Sequence, residues 1–253
     1  MDLLHENQAT AIAQLETRLV EFYNTYTGYG AFQQPSEYPV LWGEVLRLAR
    51  EKNARPVRVL EIGAGRSGFG KFLRDHGARE EIHFTAQDIT TTNLTHLREN
   101  ADEVFTGNID RLAGTWDVIF HSYVYEHLCR PREFNERLWS HLAPGGHLLI
   151  QCPRYDFPLY FPPAWDHLGL PAKLWLAARG LAGGRFTVFS DPAVFHLPFT
   201  RDRDAVHRVR RSDLHALFGE RATLREFDLA PGSFKDWVVK KLLTLRVILQ
   251  KEG

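Results

Sequence analysis

Ile12, Leu15, Leu19 and Phe22 recur at three- and four-residue spacing and predict a helix over residues 2 to about 22. The connector after it, YNTYTGYGAFQQPSEYP, scatters glycine and proline at no regular period. Pro39 then suits the first turn of a second helix, with Leu41, Val45, Leu48 and Ala49 on one face. From 56 to 152 short apolar runs alternate with amphipathic ones. Strands are predicted at 56–63, 82–88, 103–109, 116–122 and 147–153, and helices at 68–77, 92–100 and 131–146, the last closing in a Pro-Gly-Gly turn. Strict alternation of this kind predicts an α/β fold, a mostly parallel sheet covered by helices on both faces, with ligands beyond the carboxyl ends of its strands. Over 153–205 the period is lost among proline and aromatic residues, apart from a short helix at 172–181. It returns with a helix at 211–219, a strand at 222–230, a helix at 233–243 and a closing strand at 245–252.

Composition narrows the function classes. The 253 residues suffice for a single domain with a substantial core. Lysine and arginine together equal aspartate and glutamate at 31 each, so no global basic field argues for a nucleic-acid partner. Two cysteines, Cys129 and Cys152, make no spaced set for zinc or disulfides and fit a reducing compartment. The opening MDLLHENQAT lacks the apolar core of a signal peptide, and no run reaches the roughly 18 apolar residues of a membrane span. A soluble, cytoplasmic protein is expected.

The chemistry centres on VRVLEIGAGRSGFG, a strand running into a glycine turn. Gly63, Gly65 and Gly68 satisfy the G-x-G-x-x-G pattern, and Asp88 ends the next strand. A nicotinamide-dinucleotide site predicts both features. Glu61 separates the readings: a carboxylate at the end of that strand, pointing at the ligand crevice, opposes a pyrophosphate and favours a ligand carrying ammonium or sulfonium.

These segments resemble the class I S-adenosylmethionine-dependent methyltransferases. VLEIGAGRSGFG is similar to their first motif, AQDIT to the acidic end of their second strand, and GNID to the turn that holds adenine. WDVIFHSYVYEHLCRPREFNERLWSHLAPGGHLLI resembles their fourth strand, the Glu-His-Leu helix start and the turn into strand five, and VHRVRRSDLHALF their late helix. The resemblance implies a Rossmann-like, mostly parallel seven-stranded sheet. It divides the chain into an N-terminal helical cover (1–54), a cofactor-binding core (55–152), an aromatic lid (153–205) and the rest of the sheet (206–253). S-adenosylmethionine is the implied cofactor and S-adenosylhomocysteine its product. Glu61 is then expected to face the methionine ammonium through water, the Gly63-Ala64-Gly65 backbone to pass beneath the methionine, and Asp88 to accept from both ribose hydroxyls. Ile89 is expected against the adenine, Asn108 and the Ile109 N–H at its polar edge, and His121 beside the methyl group. Read without the resemblance, Glu61 caps backbone, Asp88 and Asn108 shape their own turns, and Gly68 and Gly70 serve helix packing.

Methyl transfer from a sulfonium is an in-line displacement that rests mainly on alignment, and a base is needed only where the acceptor must lose a proton. His121, Tyr123, Glu126 and His127 are the catalytic candidates, His121 first; His196 and His207 are weaker. Some relatives place a metal in this stretch with Glu-x-x-Glu-His. Tyr123 stands at the first position here, so no metal is expected. Substrate contacts are expected from Tyr23, Tyr26 and Tyr29 and from Tyr155, Trp165 and His196 in the insertion, whose aromatic residues otherwise form a small core of their own. FTRDRDAVHRVRRSDL, with five arginines among three aspartates, reads either as an anion-binding stretch or as a solvated mixed-charge face. The acceptor is expected to be a small molecule, with a saccharide or lipid-linked glycan precursor second. A nicotinamide oxidoreductase and a donor-binding subunit without turnover are the alternatives of other classes.

Overall fold

The structure is a computed structural model that describes residues 2–26, 38–52, 56–157, 159–182, 185–200, 202–227 and 234–253. Helices α1 (Asp2–Thr25) and α2 (Tyr38–Arg50) precede β1 (Val57–Ile62), α3 (Phe69–Asp75), β2 (Ile82–Asp88), α4 (Leu94–Asn100), β3 (Glu103–Thr106) and β4 (Trp116–Ser122). After α5 (Pro131–His141) and β5 (Leu142–Pro153) the insertion contributes α6 (Leu170–Ala182). The chain ends with α7 (Arg211–Phe218), β6 (Ala222–Glu226), α8 (Phe234–Trp237) and β7 (Thr244–Lys251).

The strands form one seven-stranded sheet in the order β3-β2-β1-β4-β5-β7-β6, parallel except for β7, which runs against both its neighbours. Alternate strand residues feed two cores. Val57 and Val59 join Leu41, Val45, Phe69, Leu73 and Leu97 on the face covered by α2, α3 and α4. Leu60 and Ile62 join Leu138, Trp139, Leu214 and Phe218 on the face covered by α5 and α7. A third, smaller cluster joins Leu15, Leu19 and Tyr23 of α1 to Cys129, to Val194 of the insertion and to Val206 just after it.

Three boundaries depart from the sequence expectation. The run to Gly146 is not helical: α5 stops at His141 and β5 begins at once, with Trp116 opposite Leu142 but Val118 opposite His147, so Ala143–Gly146 form an irregularity inside the pairing. The third strand ends at Thr106, because Asn108 caps a short 3-10 turn over Ile109–Arg111. The late helix widens after Trp237 into a π-helical stretch, Val238–Leu243. Among the described residues no helix is long and apolar enough to cross a membrane.

Where α3 passes the end of α4, a Cβ on Gly70 would lie 1.9 Å from the Asn100 carbonyl oxygen, whereas one on Gly43, within α2, would meet nothing within 4 Å. Gly70→Ala should therefore destabilise by about 1–3 kcal/mol, lowering the melting temperature by roughly 2–12 °C. Gly43→Ala should instead stabilise by about 0.5–1 kcal/mol. Thermal unfolding of the two variants beside the parent reads both.

Candidate functional site

Two residues at the carboxyl end of β2 organise a cavity of about 430 Å³ that lies beyond the carboxyl ends of β1 to β4. Gln87 accepts from the Gly63 N–H through Oε1 (3.2 Å) and donates through Nε2 to the Gly107 carbonyl (2.6 Å). Its backbone carbonyl accepts from Ala64 N–H at 2.8 Å. Asp88 Oδ2 accepts from the Gly65 N–H at 2.7 Å, and Oδ1 from the Thr90 N–H and hydroxyl at 2.9 and 3.1 Å. The glycine turn is equally constrained from the far side. Gly63 has φ +63°, and a Cβ on it would meet Val124 Cγ2 at 2.4 Å, so only glycine fits.

Six of the nine residues expected to contact cofactor line this cavity: Gly63, Gly65, Asp88, Ile89, Asn108 and Ile109. Ile89, 40% exposed, offers an apolar side chain to it. Asn108 Oδ1 is already engaged by the Asp110 N–H at 3.1 Å, which makes it a turn former as well as a wall residue. Glu61, Ala64 and His121 do not line it. Glu61 leaves β1 on the same face as Val57 and Val59 and is buried, so it does not reach the cavity wall. Desolvation raises its pKa to about 8 against a hydrogen bond from Ser67, with Asp88 adding repulsion, and Oε2 has no partner. His121 is fully buried between Tyr125 and Phe134, on the α5 face, with neither ring nitrogen bonded. Burial lowers its pKa to about 3. It is a neutral core side chain, not a wall of this cavity.

Of the other catalytic candidates, Tyr123 and His127 line the cavity and Glu126 lies behind it. Tyr123 holds φ +54°, a left-handed conformation uncommon outside glycine and frequent at functional sites. Around His127 the structure assembles carboxylates from distant parts of the chain. Nδ1 is 3.3 Å from Asp204 Oδ2 and Nε2 is 3.8 Å from Glu126 Oε1, while the Tyr23 hydroxyl donates to Asp204 at 2.9 Å. Burial opposes the imidazolium, but Asp204, Glu126 and Asp202 outweigh it and raise the His127 pKa above its ordinary value. Burial also pushes Glu126 up, and neither of its oxygens has a hydrogen-bond partner. Glu126, His127 and Asp202 bring ligand atoms within 4.8 Å of one another, a set able to hold a cation, as are His167, Asp191 and His196 in the insertion.

The expected substrate residues scatter. Tyr23 lines the cavity, covering it from α1. Tyr26 stacks on Phe22 and packs against Phe199, away from the cavity wall, and Tyr29 lies outside the described residues. Tyr155 is buried against Tyr160, and Trp165 packs on Phe161 and Phe189, so much of the aromatic insertion is its own core. Trp165 borders a second cavity instead, and the half-exposed His196 pairs with Asp191. The arginine-aspartate stretch is no solvated face: Asp204, His207, Arg208, Arg210 and Asp213 are all buried. Sequence reasoning passed over Gln87 and Asp204. A lone glutamine inside an apolar strand was the available signal for the first; none marked the second.

A sequence-family model described as a methyltransferase domain matches residues 36–221. No curated protein sequence matches the chain. Among solved structures, the plantazolicin methyltransferase bound to a monoazolic analogue and S-adenosylhomocysteine is 12% identical, over 99% of this chain and 100% of that one, with a TM-score of 0.55. Magnesium protoporphyrin IX methyltransferase from Synechocystis, also with S-adenosylhomocysteine, is 13% identical over 94% and 100%, with a TM-score of 0.53. An S-adenosylmethionine-dependent methyltransferase from Mesorhizobium loti is 14% identical over 86% and 98%, with a TM-score of 0.53. At such identities the likeness concerns the fold.

Folded protein keeps the Glu61 proton up to about pH 8, where the ordinary value is 4.5. The native state thus binds more protons than the unfolded chain in that window, and stability falls as pH rises through it. Glu61→Gln removes this contribution. Its melting temperature relative to the parent should climb as pH is raised from about 5 to 8, and parallel curves would remove the buried carboxyl from the account.

Proposed function

The chain belongs to the methyltransferase domain family, with S-adenosylmethionine as its methyl donor, and on that premise we propose that it methylates a small molecule presented from the side of α1 and the insertion. The observation that carries this reading is the convergence of the glycine turn, Asp88, Ile89 and the Asn108–Ile109 turn on one cavity, with Tyr123 and His127 at its other side. Its volume, about 430 Å³, lies in the range of small-molecule sites.

In this reading Asp88 holds the donor ribose, Ile89 lies against the adenine, and the turn at Gly63 and Gly65 runs beneath the methionine. A carboxylate has about four acceptor positions, and Asp88 already fills three with Gly65 and Thr90. Accepting both ribose hydroxyls therefore requires the Thr90 hydroxyl to turn away while the backbone bonds stay. Glu61 acts from below: an ammonium above the turn favours its ionised form, so donor binding releases a proton. Most of the rate comes from alignment of acceptor and methyl group in line with the departing sulfur. Where the acceptor is a hydroxyl or amine that must lose a proton, His127 takes it, and Asp204 orients the ring and stabilises the imidazolium that forms. His121, enclosed and neutral, has no part in this step.

Calorimetry with S-adenosylhomocysteine and, separately, NAD tests the donor. Saturable binding of the first alone is expected; binding of NAD alone would end the proposal. Asp88→Ala should weaken S-adenosylhomocysteine by about 2–4 kcal/mol, roughly 30- to 800-fold, whereas Thr90→Val should leave it unchanged or tighten it. Unaltered affinity in Asp88→Ala would take that carboxylate out of the site.

His127 can be followed without an acceptor. Its ring protons should titrate by NMR above the ordinary histidine value, and Asp204→Asn should lower that pKa. Since the neutral ring is the base, turnover of a hydroxyl acceptor should rise with pH through the same pKa, and the rise should move to lower pH in Asp204→Asn.

A further inference from the structure

A second cavity, of about 960 Å³, adjoins the first and shares Cys129, Arg130 and Glu133 with it. Its charge is one-sided. Arg130, Arg132, Arg179, Arg185 and Arg208 line it against two carboxylates, Glu133 and Asp191, and Arg130 also pairs with Glu16 at 3.3 Å, which leaves an excess of two positive charges.

Arg208 is the most telling of the five. It is 5% exposed, and among the described residues its side chain hydrogen-bonds to backbone carbonyls alone, from Nε to Tyr155 at 3.2 Å and from Nη1 to Ala177 at 3.0 Å. No carboxylate among the described residues comes within ion-pair distance of it, and the influence of Asp156 and Asp213 is longer-range. A buried guanidinium without a counter-ion is costly, and it keeps N–H donors in hand at the cavity wall. Arg132 and Arg185 are exposed and likewise pair with no carboxylate among the described residues. Arg132 sits over the Phe186 ring, 5.3 Å from its centre. Phe186 itself holds φ +57°, with its N–H fixed by Asp213 at 3.0 Å, a conformation maintained only where the surroundings impose it. Trp165, Phe186 and Phe189 supply flat apolar walls beside these charges.

We propose that this cavity binds the methyl acceptor and that the acceptor is a phosphorylated small molecule, its phosphate or diphosphate held by the arginines and its body laid against the aromatic rings. The inference rests on the methyltransferase reading above. An excess of two charges, with Arg132, Arg185 and Arg208 in no ion pair among the described residues, suits a multiply charged oxyanion better than a single carboxylate, and the planar fork of arginine pairs bidentately with phosphate. The wall common to both cavities sets the route by which the reacting atom meets the donor methyl group.

Inorganic pyrophosphate is the probe, titrated calorimetrically into the full chain with and without saturating S-adenosylhomocysteine. We expect saturable binding that persists with S-adenosylhomocysteine present and weakens at least tenfold in the double variant Arg132→Gln/Arg185→Gln, whose exposed positions spare the core. S-adenosylhomocysteine affinity should be unchanged in that variant. No saturable binding, equal affinity in the double variant, or tighter binding of malonate than of pyrophosphate would each overturn the proposal. Failure of S-adenosylhomocysteine to bind while pyrophosphate binds as expected would count against the donor reading alone.

Discussion

The hydrogen bonds made by Gln87 and Asp88 are what the first cavity depends on. Glycine turns after two different strands face each other across it, and neither has regular pairing to hold it. The amide of Gln87 links Gly63 to Gly107, and the carboxylate of Asp88 anchors Gly65. Two adjacent side chains of one central strand thereby set the distance between the two turns, and Val124 closes the remaining freedom of Gly63 from the other side. The backbone donors are satisfied before any ligand arrives, so the cavity is shaped in advance and binding needs little reordering.

Charge is segregated about this frame. Glu61 and Glu126 are enclosed, with Oε2 of the first and both carboxyl oxygens of the second lacking a hydrogen-bond partner, while the adjoining cavity holds guanidinium groups in excess. Burial favours the neutral form of both carboxyls, whereas the guanidinium groups keep their charge. On the proposed reading, a cationic donor draws the carboxyls towards ionisation and an anionic acceptor answers the guanidinium groups.

Much of the sheet was legible because β1, β2 and β4 are apolar runs bounded by glycine or polar turns, and α2 and α5 open with proline. What failed has a common cause. In a parallel strand buried on both faces, apolar residues point both ways, so the pattern gives no sign of where an isolated polar residue faces. Glu61 and His121 both look like crevice residues for that reason, and both are buried without lining the cavity. β5 starts earlier than expected because Leu142 pairs with Trp116, while Ala143–Gly146, which carry the turn chemistry, stay outside the ladder and the expected residues 147–153 pair with β4 and β7. Contacts such as Asp204 with His127 join residues far apart in sequence, and no local period encodes them.

The cluster that joins α1 to the insertion stands apart from the two cores that hold the sheet. It is reinforced by a buried hydrogen bond, the Tyr23 hydroxyl donating to Asp204 at 2.9 Å, so the wall that α1 gives the cavity is tied to the carboxylate that faces His127. One carboxylate thereby serves two purposes, so a change at Tyr23 on α1 is felt at the charge balance of His127 as well.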